Sequence, residues 1–257
     1  MRITILTLFP EMFTGILENS IIKRAIASGV VEIKLGNIRD YTTDKYGRVD
    51  SAPVGGGAGL IMKCQPIIDA IKDNTPPNSK VYMLSPRGET YNQKMAHKLK
   101  DEIENLVLLC GHYEGIDERV KEYIDESISI GDYILTGGEV GAMVVVDSIV
   151  RLLDGAIANE STEEESFEDG CLEYPQFTEP YDYNGDKIPD ILYSGNHEAI
   201  KKWRRKESLR ITREKRPDLF EKLELSKQDK KLIKEIDDNT IGDWETKAIE
   251  KGKKFIK

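Results

Sequence analysis

Residues 106–150 read LVLLCGHYEGIDERVKEYIDESISIGDYILTGGEVGAMVVVDSIV, and this stretch decides the fold class. Leu106–Cys110 is a short, unbroken apolar run of strand length, and a glycine-rich loop follows it at once. Ser127–Ile130 is a second candidate strand, again followed by glycines, and it leads into a helical pattern over Glu139–Leu153. The middle of that helix, GAMVVVDSIV, is apolar nearly all round, which implies burial on several sides, against a sheet or a partner subunit. Asp147 and Arg151 are its polar exceptions and lie four apart, on one face. Working outward, Ile3–Leu8, Val31–Leu35 and Val81–Leu84 supply three more candidate strands. Thr90 and Gln93 show capping-box spacing, and Met95, Ala96, Leu99 and Ile103 continue it with a helical period. Strands alternating with helices over the first 155 residues predict an α/β domain with a largely parallel sheet.

Beyond Asp154 the texture changes. As far as about Pro189 the chain is acidic, carries Gly and Pro, and has little periodicity, which reads as a linker or mobile loop. Charged helical segments follow at Ala199–Lys206, Pro217–Leu223 and Lys227–Ile236, and the last twenty residues read as a loosely attached tail.

Composition narrows the class. No apolar run approaches the roughly 20 residues a bilayer span requires. The opening MRITILTLFPEMF stops at Pro10-Glu11 with no small-residue cleavage site, so it reads as a first buried strand and not as a signal peptide. Cys64, Cys110 and Cys171 are odd in number and far apart, with neither a disulfide framework nor metal-ligand spacing. Reduced thiols in a cytoplasmic protein are the expectation. The net charge of −9 argues against a uniformly basic nucleic-acid surface, but its distribution is uneven. Residues 201–216, KKWRRKESLRITREKR, hold nine basic and two acidic residues, whereas 155–190 hold eleven acidic residues and one Lys. A local cationic patch follows.

Three glycine-rich stretches carry candidate chemistry: VGGGAGL (54–60), CGHYEGIDER (110–119) and SIGDYILTGGE (129–139). Neither the dinucleotide fingerprint nor the phosphate-loop motif is present. Each stretch alone reads as a turn. Two of them at the ends of successive strands make a binding site, because glycines let the backbone approach a ligand closely.

Taken together, LFPEMF (8–13), YGRVDSAPVGGGAGLIMK (46–63), LSPRG (84–88), GHYEGIDER (111–119), SIGDYILTGGE (129–139), SFEDG (166–170) and SGNHEAIKKWR (194–204) resemble the bacterial tRNA (guanine-N1)-methyltransferase family, TrmD. The resemblance runs in register from residue 1 to about 236. It departs where this chain has PVGGGAGL and GGEVGAM for the family's PYGGGPGM and GGELPAM, and the tail after Asp237 is longer. It implies an α/β fold of the SPOUT type: a parallel-sheet domain tied in a trefoil knot, with a small helical C-terminal domain. The corresponding boundaries are 1–158 for the knotted domain, 159–176 for a flexible acidic loop, and 177–257 for a helical tRNA-binding domain with its tail. It further implies a homodimer with sites between subunits, S-adenosylmethionine as donor, a Mg²⁺-dependent reaction, and guanine at tRNA position 37, next to the anticodon, as target.

Residues matching the family's donor site are Leu84, Ser85, Pro86, Gly111, Tyr113, Glu114, Gly115, Ser129, Ile130, Gly131, Asp132, Tyr133, Ile134, Leu135, Gly137 and Gly138. Asp169 matches the general base and Arg151 the catalytic arginine. Methylation at guanine N1 requires loss of its proton, so a carboxylate near N1 and a cation near O6 suit the chemistry. Without the resemblance Asp169 reads as one acid among many in a solvated loop, and Arg151 as a surface ion-pair partner of Asp147 or Asp154. Glu114 is a candidate for facing the donor's sulfonium or for binding Mg²⁺, although no ligand cluster accompanies it. His112 reads as a satisfied loop histidine. Asn196, His197, Lys201, Arg204 and Arg205 are candidates for contact with tRNA, and Trp203 for core packing. The rival readings are a catalytically silent RNA-binding module of the same fold and an unrelated nucleotide-cofactor enzyme.

Overall fold

The five apolar runs become five parallel strands, because each is apolar on the faces that helices cover. In the computed structural model, which describes residues 1–157 and 164–252, the strands run in chain order β1 (Arg2–Thr7), β2 (Glu32–Asn37), β3 (Asp50–Ser51), β4 (Ile61–Met62), β5 (Ser79–Thr90), β6 (Asn105–Cys110), β7 (Glu126–Ser129), β8 (Asp182–Tyr183) and β9 (Asp186–Lys187). The helices are α1 (Thr14–Leu17), α2 (Ser20–Ala27), α3 (Cys64–Asn74), α4 (Gln93–Glu102), α5 (Glu139–Val150), α6 (His197–Lys215), α7 (Pro217–Phe220), α8 (Lys227–Asp237) and α9 (Asp243–Gly252). The chain divides into two compact units, Met1–Asn159 and Glu160–Lys257. Residues 158–163, which include the start of the expected acidic loop, and 253–257, the end of the expected tail, lie outside the described residues.

In the first unit the sheet order is β2-β1-β6-β5-β7, parallel throughout. Leu106, Leu108 and Cys110 of β6 pack with α2, α4 and α5, through Ala25, Leu99, Ala142, Val145 and Ile149. Val107 and Leu109 face the other way, into Ile67, Ala70 and Ile71 of α3. A strand covered on both faces must be apolar at every position, and this is why 106–110 is unbroken. All are buried, and each leucine, isoleucine and valine among them contributes about 1.5–3 kcal/mol.

β5 has an excursion. Leu84 pairs with Ile128, and so does Glu89, so Ser85–Gly88 leaves the ladder before β5 resumes. A Cβ on Gly88 would lie 2.4 Å from the Ile128 nitrogen, so only glycine lets the chain rejoin there.

Several helix boundaries differ from expectation: α6 runs from His197 to Lys215 where Ala199–Lys206 was expected, and α7 stops at Phe220 instead of Leu223. Asn92 caps α4, its side chain accepting the Met95 N–H at 3.0 Å, while Thr90 is held in β5 opposite Ser129. α5 ends at Val150, and Arg151 is its C-cap, with its N–H on the Asp147 carbonyl at 3.2 Å. No helix among the described residues is long and apolar enough to cross a membrane.

The second unit is built on α6. Trp203 is buried with Ile191, Ala199 and Ala248, in the core role expected of it. The linker expectation gives way over its described part. Cys171 is buried against Leu209 and Leu232, and Leu172 donates its N–H to Thr212 Oγ1 at 2.8 Å. Asn184-Gly185, with φ of 57° and 97°, turns β8 into β9, a hairpin signal that lay unread in the acidic stretch. The tail expectation is overturned for 243–252, which form α9. Its Glu245 and the neighbouring Glu235 grip the buried Lys206 Nζ, at 3.2 and 3.1 Å, and the Thr240 carbonyl accepts from it at 3.3 Å. Lys206→Met leaves these carboxylates without their cation, so it is expected to cost about 3 kcal/mol in chemical denaturation of the full chain. An unchanged unfolding midpoint would show the cluster to be energetically idle.

Candidate functional site

A cavity of about 1070 Å³ opens at the carboxyl ends of β5, β6 and β7. This is where an open parallel sheet binds ligands, since the loops that leave adjacent strands diverge there. Its wall comes from the excursion in β5, from Gly111–Asp117 after β6, and from Ile130–Gly138 after β7. Fifteen of the sixteen residues matched to the donor site stand on that wall. Asp132 does not; it is exposed on the same loop.

Two returns of the chain shape the cavity. After β6 the loop runs alongside β4: Glu114 N–H donates to the Leu60 carbonyl (3.0 Å), Met62 N–H to that of Gly115 (2.9 Å), and Asp117 N–H to that of Met62 (3.0 Å). This fixes the glycine stretch 54–60 against Glu114, whose side chain occupies the space a Cβ on Gly59 would need. After β7, residues 130–138 come back past β5 to the end of β6, where Gly138 N–H donates to the Gly111 carbonyl at 2.8 Å. A Cβ on Gly138 would lie 2.8 Å from the Cys110 Cα. The helix therefore starts in van der Waals contact with the neighbouring backbone.

Beneath this crossing sits Glu139, 1% exposed, a residue that sequence reasoning missed. Its signal was an acid at the first position of a largely apolar helix. Thr7 Oγ1 donates to Glu139 Oε1 at 2.9 Å, tying the end of β1 to the start of α5. His112 was expected to be a satisfied loop histidine. Its backbone N–H does donate to Met62 Sδ at 3.2 Å and its ring packs on Phe9, but its Nδ1 is buried with no hydrogen-bond partner, 3.7 Å from Glu139 Oε2. Burial, with Glu139 nearby, pushes the Cys110 thiol well above its ordinary range, so it is inert packing. At the outer end of the wall Arg87 pairs with Glu118 (3.2 Å) and Arg119 with Asp117 (2.7 Å), whereas Lys63 has no acidic partner among the described residues. Among the described residues no group of three or more His, Cys, Asp or Glu is placed to hold a metal ion.

The remaining candidates lie elsewhere. Arg151 is half-buried at the end of α5. In the second unit Asp169 stays 58% exposed; its Oδ1 accepts the Cys171 N–H at 3.0 Å and its Oδ2 accepts from Arg205. Asn196 is the N-cap of α6, accepting from Ala199 N–H at 3.2 Å. His197 and Lys201 are exposed, without side-chain partners among the described residues. Arg204 pairs with Glu164 (3.3 Å) and lies over the Tyr174 ring at 4.6 Å. Burial, and then its hydrogen bond to Glu164, push the Tyr174 phenol up to about 12. Arg205 is engaged with three side chains of its own unit. The basic run is thus largely neutralised from within.

Comparison with known proteins follows the same line. The family model described as tRNA (Guanine-1)-methyltransferase TrmD matches residues 1–222. A tRNA (guanine-N(1)-)-methyltransferase of Clostridium perfringens (strain SM101 / Type A) is 56% identical over 236 residues, covering 91% of this chain and 99% of the relative. Proteins of the same name from Clostridium botulinum (strain Langeland / NCTC 10281 / Type F) and Dictyoglomus turgidum (strain DSM 6724 / Z-1310) are 55% and 53% identical. They cover 92% of this chain in each case, and 98% and 96% of themselves.

Gly138→Ala puts a methyl group into the Cys110 backbone, so it is expected to destabilise the first unit by about 1–3 kcal/mol, read by thermal or denaturant unfolding. Wild-type stability in that variant would mean the crossing is not tight.

Proposed function

This chain belongs to the tRNA (guanine-1)-methyltransferase family, and we propose that it methylates N1 of guanine at position 37 of tRNA, next to the anticodon, with S-adenosylmethionine as donor. The observation that carries the reading is the glycine-lined cavity at the ends of β5, β6 and β7. Glycines stand on its wall where the loops after β6 and β7 leave the sheet, it is large enough for a nucleoside with an amino-acid tail, and side chains at Gly137 or Gly138 would fill the crossing. Leu84–Pro86, Gly111, Tyr113–Gly115, Ser129–Gly131, Tyr133–Leu135, Gly137 and Gly138 would hold the donor, with Glu114 the acid available to its positive charge. When bound, the donor supplies a methyl group: the N1 electron pair forms the new N–C bond while the S–C pair stays on sulfur.

The chain's own residues manage the proton. Asp169 takes the N1 proton, and Arg151 stabilises the negative charge that develops on O6. A carboxylate is a weak base, so the cation at O6 lowers what is asked of it. Because N1 lies on the Watson–Crick edge, the target base must be unpaired or flipped out, as an anticodon-loop base is. His197 and Lys201 are the exposed groups for the tRNA backbone. Among the described residues no carboxylate cluster supports a Mg²⁺ site.

Three further parts of the reading have physical support. The return of 130–138 past β5 to Gly111 supports a trefoil knot. Exposed Ile134, Val140 and Val144 form an apolar surface on and before α5, which supports a homodimer. All three cysteines are free, in keeping with a cytoplasmic enzyme. The silent-module alternative is disfavoured by the uniform naming of close relatives as methyltransferases.

Incubation with labelled S-adenosylmethionine and transcripts differing only at position 37 is expected to give N1-methylguanosine only where guanine stands there. No label with guanine present would overturn the proposal. Asp169→Ala is expected to lower transfer roughly 10²–10⁴-fold with donor affinity unchanged. A parallel loss of donor binding would make Asp169 structural.

A further inference from the structure

Arg205 belongs to the basic run, yet its guanidinium is spent inside its own unit. Its Nε and Nη2 fork onto the two oxygens of Asp229, at 2.8 and 3.3 Å. Asp229 is immobile: it is buried, its carboxylate accepts the Ser226 N–H at 3.0 Å, and its own N–H donates to Ser226 Oγ at 3.0 Å, a complete capping box at the start of α8. Burial alone would push Asp229 up, but the Arg205 fork and the Ser226 cap outweigh it and hold the carboxyl below its usual range. A planar guanidinium fixed at two points on a buried carboxylate can aim its third edge in only one direction. That edge, Nη1, donates to Asp169 Oδ2 and to Cys171 Sγ. With Oδ1 already on the Cys171 N–H, both oxygens of Asp169 are oriented while the side chain stays mostly open to solvent. The groups facing Asp169 are therefore Arg205 from α6, Asp229 from α8 through Arg205, and the Cys171 thiol of its own turn; Glu165 and Glu168 stand nearby in sequence.

We propose that Arg205 is a positioning residue for methyl transfer. The relay Asp229–Arg205–Asp169 holds the Asp169 carboxylate in one orientation, ready to receive the guanine N1 proton. The inference rests on the reading of Asp169 as the base. It reassigns Arg205 from a phosphate contact to a support of the chemistry.

Steady-state transfer, donor affinity, melting temperature, and tRNA affinity against salt are to be measured on the full chain for Arg205→Gln and Arg205→Lys. Arg205→Gln is expected to lower kcat at least tenfold at saturating tRNA while leaving the donor KM within about twofold. Its salt slope for tRNA binding should equal that of wild type, and Arg205→Lys should recover part of the lost kcat. A salt slope reduced by about one with kcat unchanged at saturating tRNA would make Arg205 a phosphate ligand and overturn the proposal. So would a lowered melting temperature with kcat and the donor KM both unchanged, the mark of a purely structural role. If Asp169→Ala keeps full activity, the base assignment itself fails; if it is inactive while Arg205→Gln keeps the wild-type kcat, only the relay fails.

Discussion

The hydrogen bond from Gly138 N–H to the Gly111 carbonyl joins two segments that leave the sheet by different strands. It forms only because neither Gly137 nor Gly138 carries a side chain: the first would strike His112 and Glu139, the second the Cys110 backbone. Once it is made, the loop after β7 must pass β5, so the excursion Ser85–Gly88 has to lie outside the ladder to give it room. α5 then starts against β6, its apolar residues reach the same cluster as Leu106 and Leu108, and Glu139 is carried to the end of β1. Cavity, helix placement and buried acid all follow from one close approach of backbones.

The second unit has a different logic, in which charge takes over much of the work of a core. Its apolar clusters are small, centred on Trp203 and on Cys171 with Leu209 and Leu232. Between them stand Lys206 with its two glutamates and Arg205 with its two aspartates. Pairs of this kind add little net stability over apolar packing, yet each is costly to break, which makes them specify one arrangement of α6, α8 and α9. The acidic loop and the basic helix are thus complementary parts of one structure, and this is why a chain with net charge −9 can carry a dense basic run.

Legibility followed the range of the forces involved. β6 was readable because a doubly covered parallel strand leaves a continuous apolar run, and the other four sheet strands were readable by shorter apolar stretches. The α4 cap was misplaced because Thr90 satisfies the same local pattern as Asn92, and only pairing with Ser129 decides between them. α9 escaped notice because its anchor, Lys206, lies 39 positions from Glu245. The cavity wall was readable as glycines at strand ends, although its closure at Gly111 depends on a crossing no periodicity records. Arg205 was read by its sign alone; its partners Asp169 and Asp229 lie 36 and 24 positions away in opposite directions.

The glycine wall also bears on how easily this site can change. A pocket lined by side chains is re-cut by single substitutions, each altering one contact and leaving the chain's path intact. Here part of the wall is the path itself, and a residue added at Gly138 meets backbone, which has no rotamer by which to yield. A small molecule packed against that crossing would face a surface with fewer routes of escape by mutation, since a change at Gly137 or Gly138 that expelled it would first unmake the crossing.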